Sequence, residues 1–320
     1  MQPLWDVATI GEAMLRLSVP AGERLEDAPS YQVHVAGAES NVAYALARVG
    51  LRSSWTSALP RNPLGQRVAS TLAGGGVDLS SVCWSDTGRL GVYFVETGCA
   101  PRPTMVSYDR ADSLMVRATP DCFDWDAICR ARLLHTSGIT LGLSPQSRQV
   151  GETAVQQAKR HGMLVSLDVN YRARLWDTRA AADAVRSIAP AVDIVICTAE
   201  DARDLFEASG PPEEVARRLQ EMLDIETVVL ALGGAGALAL QDGSMHTASG
   251  YEVRVIDRIG AGDAFAAGLL WGVLDGSIQA GLERGLAMSA LKIGLYGDLF
   301  RFNAKEVQAL MARPDREVGR

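Results

Sequence analysis

Apolar residues in the middle of the chain come in short, nearly continuous runs at residues 132–136, 163–168, 193–197 and 227–232. A strand with one wet face alternates apolar and polar side chains; these runs do not, so both faces are predicted to be covered. Between them, residues 147–161, 180–189 and 213–223 repeat their apolar positions at helical spacing. The alternation over about 131–275 predicts βαβ units, hence a mostly parallel sheet with helices on both faces. Functional side chains are then expected beyond the C-terminal ends of the strands. Two segments, about 12–35 and 88–117, have another texture. Val92, Phe94, Thr104, Val106 and Tyr108 favour strand, while Gly98, Pro101 and Pro103 interrupt. They read as strands outside the main sheet that fold over a site as a lid, an ordinary edge hairpin being the plainer alternative.

Composition narrows the picture. The 320 residues suffice for a large core, and one α/β domain with a small appendage suits the length as well as two domains do. With 31 Lys and Arg against 38 Asp and Glu, the net charge is -7. No basic stretch is interleaved with aromatics, which argues against nucleic acid as a partner. The five cysteines are odd in number and show no Cys-x-x-Cys spacing, as expected in a reducing compartment. Without a signal-like start or an apolar run near the roughly 18 residues a bilayer span requires, a soluble, cytoplasmic protein is expected. No internal repeat is visible, and residues 314–320 read as a disordered tail.

The stretch Val255-Ile256-Asp257-Arg258-Ile259-Gly260-Ala261-Gly262-Asp263-Ala264-Phe265 carries the most chemistry. It reads as a strand running into a glycine-rich turn and then a helix, with Phe265, Leu269 and Val273 on one face. The free N–H groups and positive end of that helix would cradle phosphate oxygens at Gly260, Ala261 and Gly262. Asp263 serves either as a helix cap or as a base that takes a proton from an attacking hydroxyl; spacing does not separate the two. A second glycine-to-helix junction, Ala36-Gly37-Ala38-Glu39-Ser40-Asn41, permits close ligand approach at Gly37 and offers the Asn41 amide to hydroxyls, or is an ordinary turn. His135 reads as a core histidine and Trp176 as packing.

With these two junctions in order and βαβ texture between them, the chain resembles the PfkB, or ribokinase-like, carbohydrate kinases over nearly its whole length. The residues behind the resemblance are Ala36-Gly37 with Asn41 and the run from Asp257 to Asp263. It implies an α/β, ribokinase-like domain over residues 1–313, with a central mostly parallel sheet, a small β-lid at about 12–35 and 88–117, and ATP as donor. Gly260, Ala261 and Gly262 would form the anion hole and Asp263 the base. Within the family, Ala100-Pro101-Arg102-Pro103, Tyr108-Asp109-Arg110-Ala111-Asp112-Ser113, Leu134-His135-Thr136-Ser137-Gly138-Ile139, Asp168-Val169-Asn170-Tyr171-Arg172, Ala290-Leu291-Lys292 and Gly297-Asp298 are similar to 2-keto-3-deoxygluconate kinases. This implies phosphorylation of 2-keto-3-deoxygluconate to its 6-phosphate.

Carried over, Gly37, Asn41, Tyr93, Tyr108, Arg110, Arg172 and Asp263 would meet the sugar acid. Arginine forks suit its carboxylate, whereas a neutral hexose calls for Asp and Asn. Thr198, Gly233, Gly236, Gly260 and Gly262 would face the nucleotide, Glu200 and Asp201 would act on Mg2+ through water, and a monovalent cation such as K+ is admitted. Three positions depart from the family's pattern. Thr198-Ala199-Glu200-Asp201 replaces Asn-x-x-Glu, Ala231 stands where a phosphate-contacting Lys or Arg is common, and Arg258 replaces a small residue. The alternatives are a kinase for a neutral sugar such as fructose and a noncatalytic sugar- or nucleotide-binding protein on the same fold. A nicotinamide dehydrogenase would need Gly-x-Gly-x-x-Gly after the first strand, where Gly11-Glu12-Ala13 stands. A lid sheet with open edges also suggests a homodimer or higher homo-oligomer.

Overall fold

A computed structural model describes residues 3–98 and 101–313. Cys99, Ala100 and the expected disordered tail at 314–320 lie outside the described residues. Among the described residues the main sheet has eight strands: β1 (Trp5–Ile10), β4 (Ser53–Thr56), β9 (Ala131–Ser137), β10 (Leu164–Asp168), β11 (Ile194–Thr198), β12 (Thr227–Ala231), β13 (Gly236–Gln241) and β14 (Ser244–Ser249). Their order is β14-β13-β12-β11-β10-β9-β1-β4. Every pairing from β4 to β12 is parallel, and only β13 and β14 run antiparallel at one edge.

Successive residues of one strand enter different cores, which explains the lack of polar alternation. Ala8, Leu134, Val195 and Val228 pack with the helices Pro145–Arg160, Thr178–Ile188 and Pro212–Leu223. Val7, Leu133, Ile194 and Val229 pack on the opposite face with Ala261–Leu274 and Ile278–Ile293. Each buried Val, Leu or Ile among them contributes about 1.5–3 kcal/mol. Local signals set the helix ends: Ser144 caps Pro145–Arg160 by accepting from Ser147 N, with Pro145 in the first turn.

The segments read as a lid contain a separate sheet of β2 (Met14–Val19), β3 (Gln32–Ala36), β7 (Gly91–Glu96) and β8 (Met105–Asp109), in the order β3-β2-β7-β8. One face, with Leu15 and Val35, packs on the helix Pro63–Gly74. The other, with Met14, Tyr93 and Val95, faces Ile259 beside the glycine turn. A short pair, β5 (Ala58–Pro60) and β6 (Cys83–Ser85), stands apart.

One expectation fails. Residues 251–259 ahead of the glycine turn form no strand. The backbone there is committed elsewhere: the N–H groups of Ile256 and Asp257 both donate to Ile293 O, at 3.0 and 3.1 Å.

Candidate active site

The sheet order reverses between β1 and β9: the chain builds β4 on one side of β1, and β9 through β12 follow on the other. At the C-terminal ends of these strands, under the lid sheet, lies a cavity of about 660 Å³. Crevices at such a switch point are the usual ligand sites of open α/β sheets.

The glycine turn forms one wall. Gly260 takes φ 86, in the left-handed region, and a Cβ there would stand 2.2 Å from Asp298 O, so only glycine fits. The helix Ala261–Leu274 starts directly after it, with Asp263 in its first turn. Gly37 precedes the helix Ala38–Arg48 on the facing wall, where a Cβ would stand 2.2 Å from Glu12 O. One turn on, Asn41 Nδ2 donates to Asp263 Oδ2 at 2.6 Å. The two glycine junctions, 222 residues apart, therefore meet at one carboxylate.

Burial lifts the Asp263 pKa from 3.8 to about 6, against the Asn41 bond and the Arg172 charge, which lower it; Asp298 and Glu39 raise it further. At neutral pH it is still mostly ionised, within hydrogen-bond reach of the cavity and basic enough to accept a proton. Asp168, at the end of β10, is pushed up to about 8, first by burial and then by the neighbouring Asp263 and Asp201 charges. Asp201 is raised by burial, against the Thr198 hydrogen bond, which lowers it.

Cations are fewer and differently disposed. Arg172 and Arg258 both line the cavity, are exposed, and have no ion-pair partner among the described residues. Asn170, at φ 39, turns the chain after β10 so that Tyr171 and Arg172 reach the cavity. Arg110 also lines it, but its Nε and Nη2 bond Glu12 Oε2 and its guanidinium stacks 5.5 Å from the Tyr108 ring centroid. Glu12 accepts from Ser113 Oγ as well. The Arg110 fork is thus half engaged, through Nε and Nη2.

Of the other predicted residues, Tyr93 and Tyr108 line the cavity with rings 5.5 Å apart. The Tyr93 hydroxyl is committed, donating to Asp298 Oδ2 at 2.5 Å. Thr198 caps the helix Ala199–Phe206 by accepting from Asp201 N, and Thr198, Glu200 and Asp201 all reach the cavity. Gly233, Gly236 and Ala261 do not line it; the first two flank the turn between β12 and β13. His135 is buried against Ser166 with its pKa lowered to about 4, and Trp176 packs under Arg148, both away from the cavity.

Sequence reasoning missed Glu12, Asp168 and Asp298 as cavity residues. It also missed Glu39, a buried carboxyl whose Oε1 accepts from Ser137 N, Ser137 Oγ and Thr140 Oγ1. Asp168 ends an apolar strand run and Glu12 follows the first strand, so position relative to strand ends was the signal available for both.

Among the described residues no three His, Cys, Asp or Glu side chains converge as direct metal ligands. The raised Asp168 and Asp201 nevertheless suit a divalent cation that brings its own water and phosphate ligands, since it would relieve their mutual repulsion.

A profile of the pfkB family of carbohydrate kinases matches residues 5–303. The chain is 40% identical to a 2-dehydro-3-deoxygalactonokinase of Haloferax volcanii over 98% of its own length and 99% of that protein's. It is 31% identical to a 2-dehydro-3-deoxygluconokinase of Thermoproteus tenax, covering 91% and 89%. A crystal structure of 2-dehydro-3-deoxygluconokinase from Thermotoga maritima superposes with TM-score 0.92 at 33% identity, over 98% of this chain and 100% of that one.

Proposed function

This chain belongs to the pfkB family of carbohydrate kinases, and from that premise we propose that it transfers the γ-phosphoryl group of ATP to the primary hydroxyl of a six-carbon 2-keto-3-deoxy sugar acid. The observation that carries the reading is the meeting of Asp263, held by Asn41 at the glycine turn, with two unpaired guanidiniums in one cavity. Two anionic reactants, a carboxylate and a polyphosphate, call for two free cations; a neutral hexose would leave one without a task.

In this reading Arg172, with the free edge of Arg110, holds the carboxylate. The hydroxyl at the far end of the sugar acid then lies at Asp263. Asp263 removes its proton as the oxygen attacks phosphorus, the bond from phosphorus to the β,γ-bridging oxygen breaks, and ADP leaves. The N–H groups of Gly260 and Gly262 face the charge on the transferring group, while that of Ala261 closes the turn on Arg258 O. Arg258 supplies there the positive charge that Ala231 does not. Mg2+, with Asp168 and Asp201 acting through its water, would neutralise the phosphates when bound. Gly233 and Gly236 would serve the nucleotide beyond the cavity wall. The cavity with the protonatable Asp263 in it speaks against a noncatalytic binding protein.

Two acids differing at one hydroxyl fit this description: 2-keto-3-deoxygluconate, suggested by the sequence motifs, and 2-keto-3-deoxygalactonate, suggested by the relative at 40% identity. Acceptor-dependent ADP release measured with both acids, gluconate, fructose and no acceptor tests the proposal. Turnover with at least one of the two keto acids well above fructose is expected. Fructose as the best acceptor, or no turnover with any, would overturn it.

A further inference from the structure

The helix Ile278–Ile293 carries in its last turn a lysine that solvent does not reach. Lys292 is 0% exposed, and its Nζ donates to two main-chain carbonyls, Asp257 O at 3.0 Å and Leu295 O at 3.3 Å. The first carbonyl opens the glycine-turn segment; the second begins the loop that leads to Asp298. Arg16, from the lid strand β2, places Nη1 2.7 Å from Asp257 Oδ2 and 3.0 Å from Asp298 Oδ1. Asp257 also accepts from Ile259 N and Gly297 N, each at 3.1 Å. With Lys292 as an ammonium, two cations and two carboxylates sum to zero in a region closed to water, the condition under which buried charge is tolerated. Burial lowers the Lys292 pKa, while Asp257 and Asp298 oppose the fall.

This cluster sits at the joint of the site. Asp298 O lies against Gly260, and Asp298 Oδ2 accepts from the Tyr93 hydroxyl of the lid. Main-chain carbonyls flanked by carboxylates are the donor chemistry that holds a dehydrated monovalent cation. Here the chain's own nitrogen already occupies that donor set, so the residues present do not fit an added K+.

We propose that the Lys292 ammonium is the resident cation of the anion-binding turn, tying Asp257 to the 295–298 loop, and that the enzyme therefore needs no activating monovalent cation. Lys292 acts as a positioning residue, since it touches neither reactant. The proposal rests on the kinase reading, so its test carries a readout that does not need turnover.

For the wild-type protein, kcat/KM with ATP and a 2-keto-3-deoxy sugar acid should agree within about twofold in choline, Na+, K+ and NH4+ chlorides at equal ionic strength. Its melting temperature should be equally indifferent. Lys292→Ala opens the carbonyl set, so kcat/KM should fall by about tenfold or more in choline and recover with K+ or NH4+. The melting temperature of that variant should rise with the same two ions and not with Li+. Lys292→Met fills the space of the stem without the charge and should be impaired in every salt. Wild-type stimulation above about fivefold by K+, a K+-dependent rise in the wild-type melting temperature, or a Lys292→Met variant with normal rates would each overturn the assignment. If neither variant folds, the wild-type salt series decides alone, and if no acceptor turns over, the melting series does.

Discussion

Removing the amide that holds the proposed base tests the site most directly, because the effect must depend on pH in a calculable way. Asn41 Nδ2 donates to Asp263 Oδ2 at 2.6 Å, and this bond opposes the burial that lifts Asp263 to about 6. With a pKa of about 6 the base is about 90% ionised at pH 7. A hydrogen bond to a charged group is worth about 1.5–3 kcal/mol, which at about 1.4 kcal/mol per pH unit corresponds to one to two pH units. Asn41→Ala should therefore carry the acid limb of kcat/KM from near pH 6 to about pH 7–8. The variant should lose about two- to tenfold at pH 7 but less than about 1.5-fold at pH 8.5. ADP release followed from pH 5 to 9 supplies the profile. Asp263→Asn is the reference: it keeps the size of the side chain, abolishes the limb, and lowers kcat by roughly 100- to 10,000-fold on the alkaline plateau, where the wild-type base is ionised. Equal losses for Asn41→Ala at pH 7 and pH 8.5, with an unmoved limb, would show that Asn41 does not tune the base and would refute the reasoning.

The two arginines proposed to hold the carboxylate should differ in kind. Arg172→Ala, with no ion pair to break, should leave the melting temperature unchanged and cost about 10- to 150-fold in kcat/KM for the sugar acid, with little effect on a neutral acceptor. Arg110→Ala strands Glu12, which is 2% exposed, so thermal melting should show a destabilisation of about 3–5 kcal/mol that adding Glu12→Gln largely repairs. Arg258→Thr should raise the KM for ATP or lower kcat by about tenfold or more without changing the acid-over-neutral preference; loss of that preference would assign Arg258 to the carboxylate. Asp168 gives a stability prediction. Its folded pKa of about 8 exceeds its ordinary 3.8, so the folded protein holds a proton that the unfolded chain releases. Stability should fall as pH rises from about 4 to about 8 and level off above. Asp168→Asn should shrink the loss of melting temperature of the ligand-free protein between pH 5 and 8, and an undiminished loss would show that Asp168 is not the group responsible.

Those predictions divide along the line between local and long-range information. Unbroken apolar runs and helical periodicity disclosed the parallel sheet and its two helical layers, because strand faces and helix stripes are periodic in sequence. The two glycine junctions and Asp263 were legible for the same reason: close backbone approach and a left-handed φ demand glycine at the position itself. The strand expected at residues 255–256 failed because the N–H groups of Ile256 and Asp257 are taken by Ile293 O at the end of a helix distant in sequence, a partner that no local pattern reveals. Register decided the rest. Parallel pairing of β2 with β7 sets Arg16 beside Tyr93, and both then reach Asp298, 282 and 205 residues away. The same packing commits half of the Arg110 fork to Glu12 while leaving Arg172 and Arg258 unpaired among the described residues. Composition shows how many charges a chain carries; which of them cancel depends on distances that only the folded lid and turn establish. The sequence by itself determined the architecture, the two glycine junctions and the place of the Asp263 carboxylate at a helix start, and the tertiary structure determined which cations stay unpaired at the cavity and which, like Lys292, are bound within the fold.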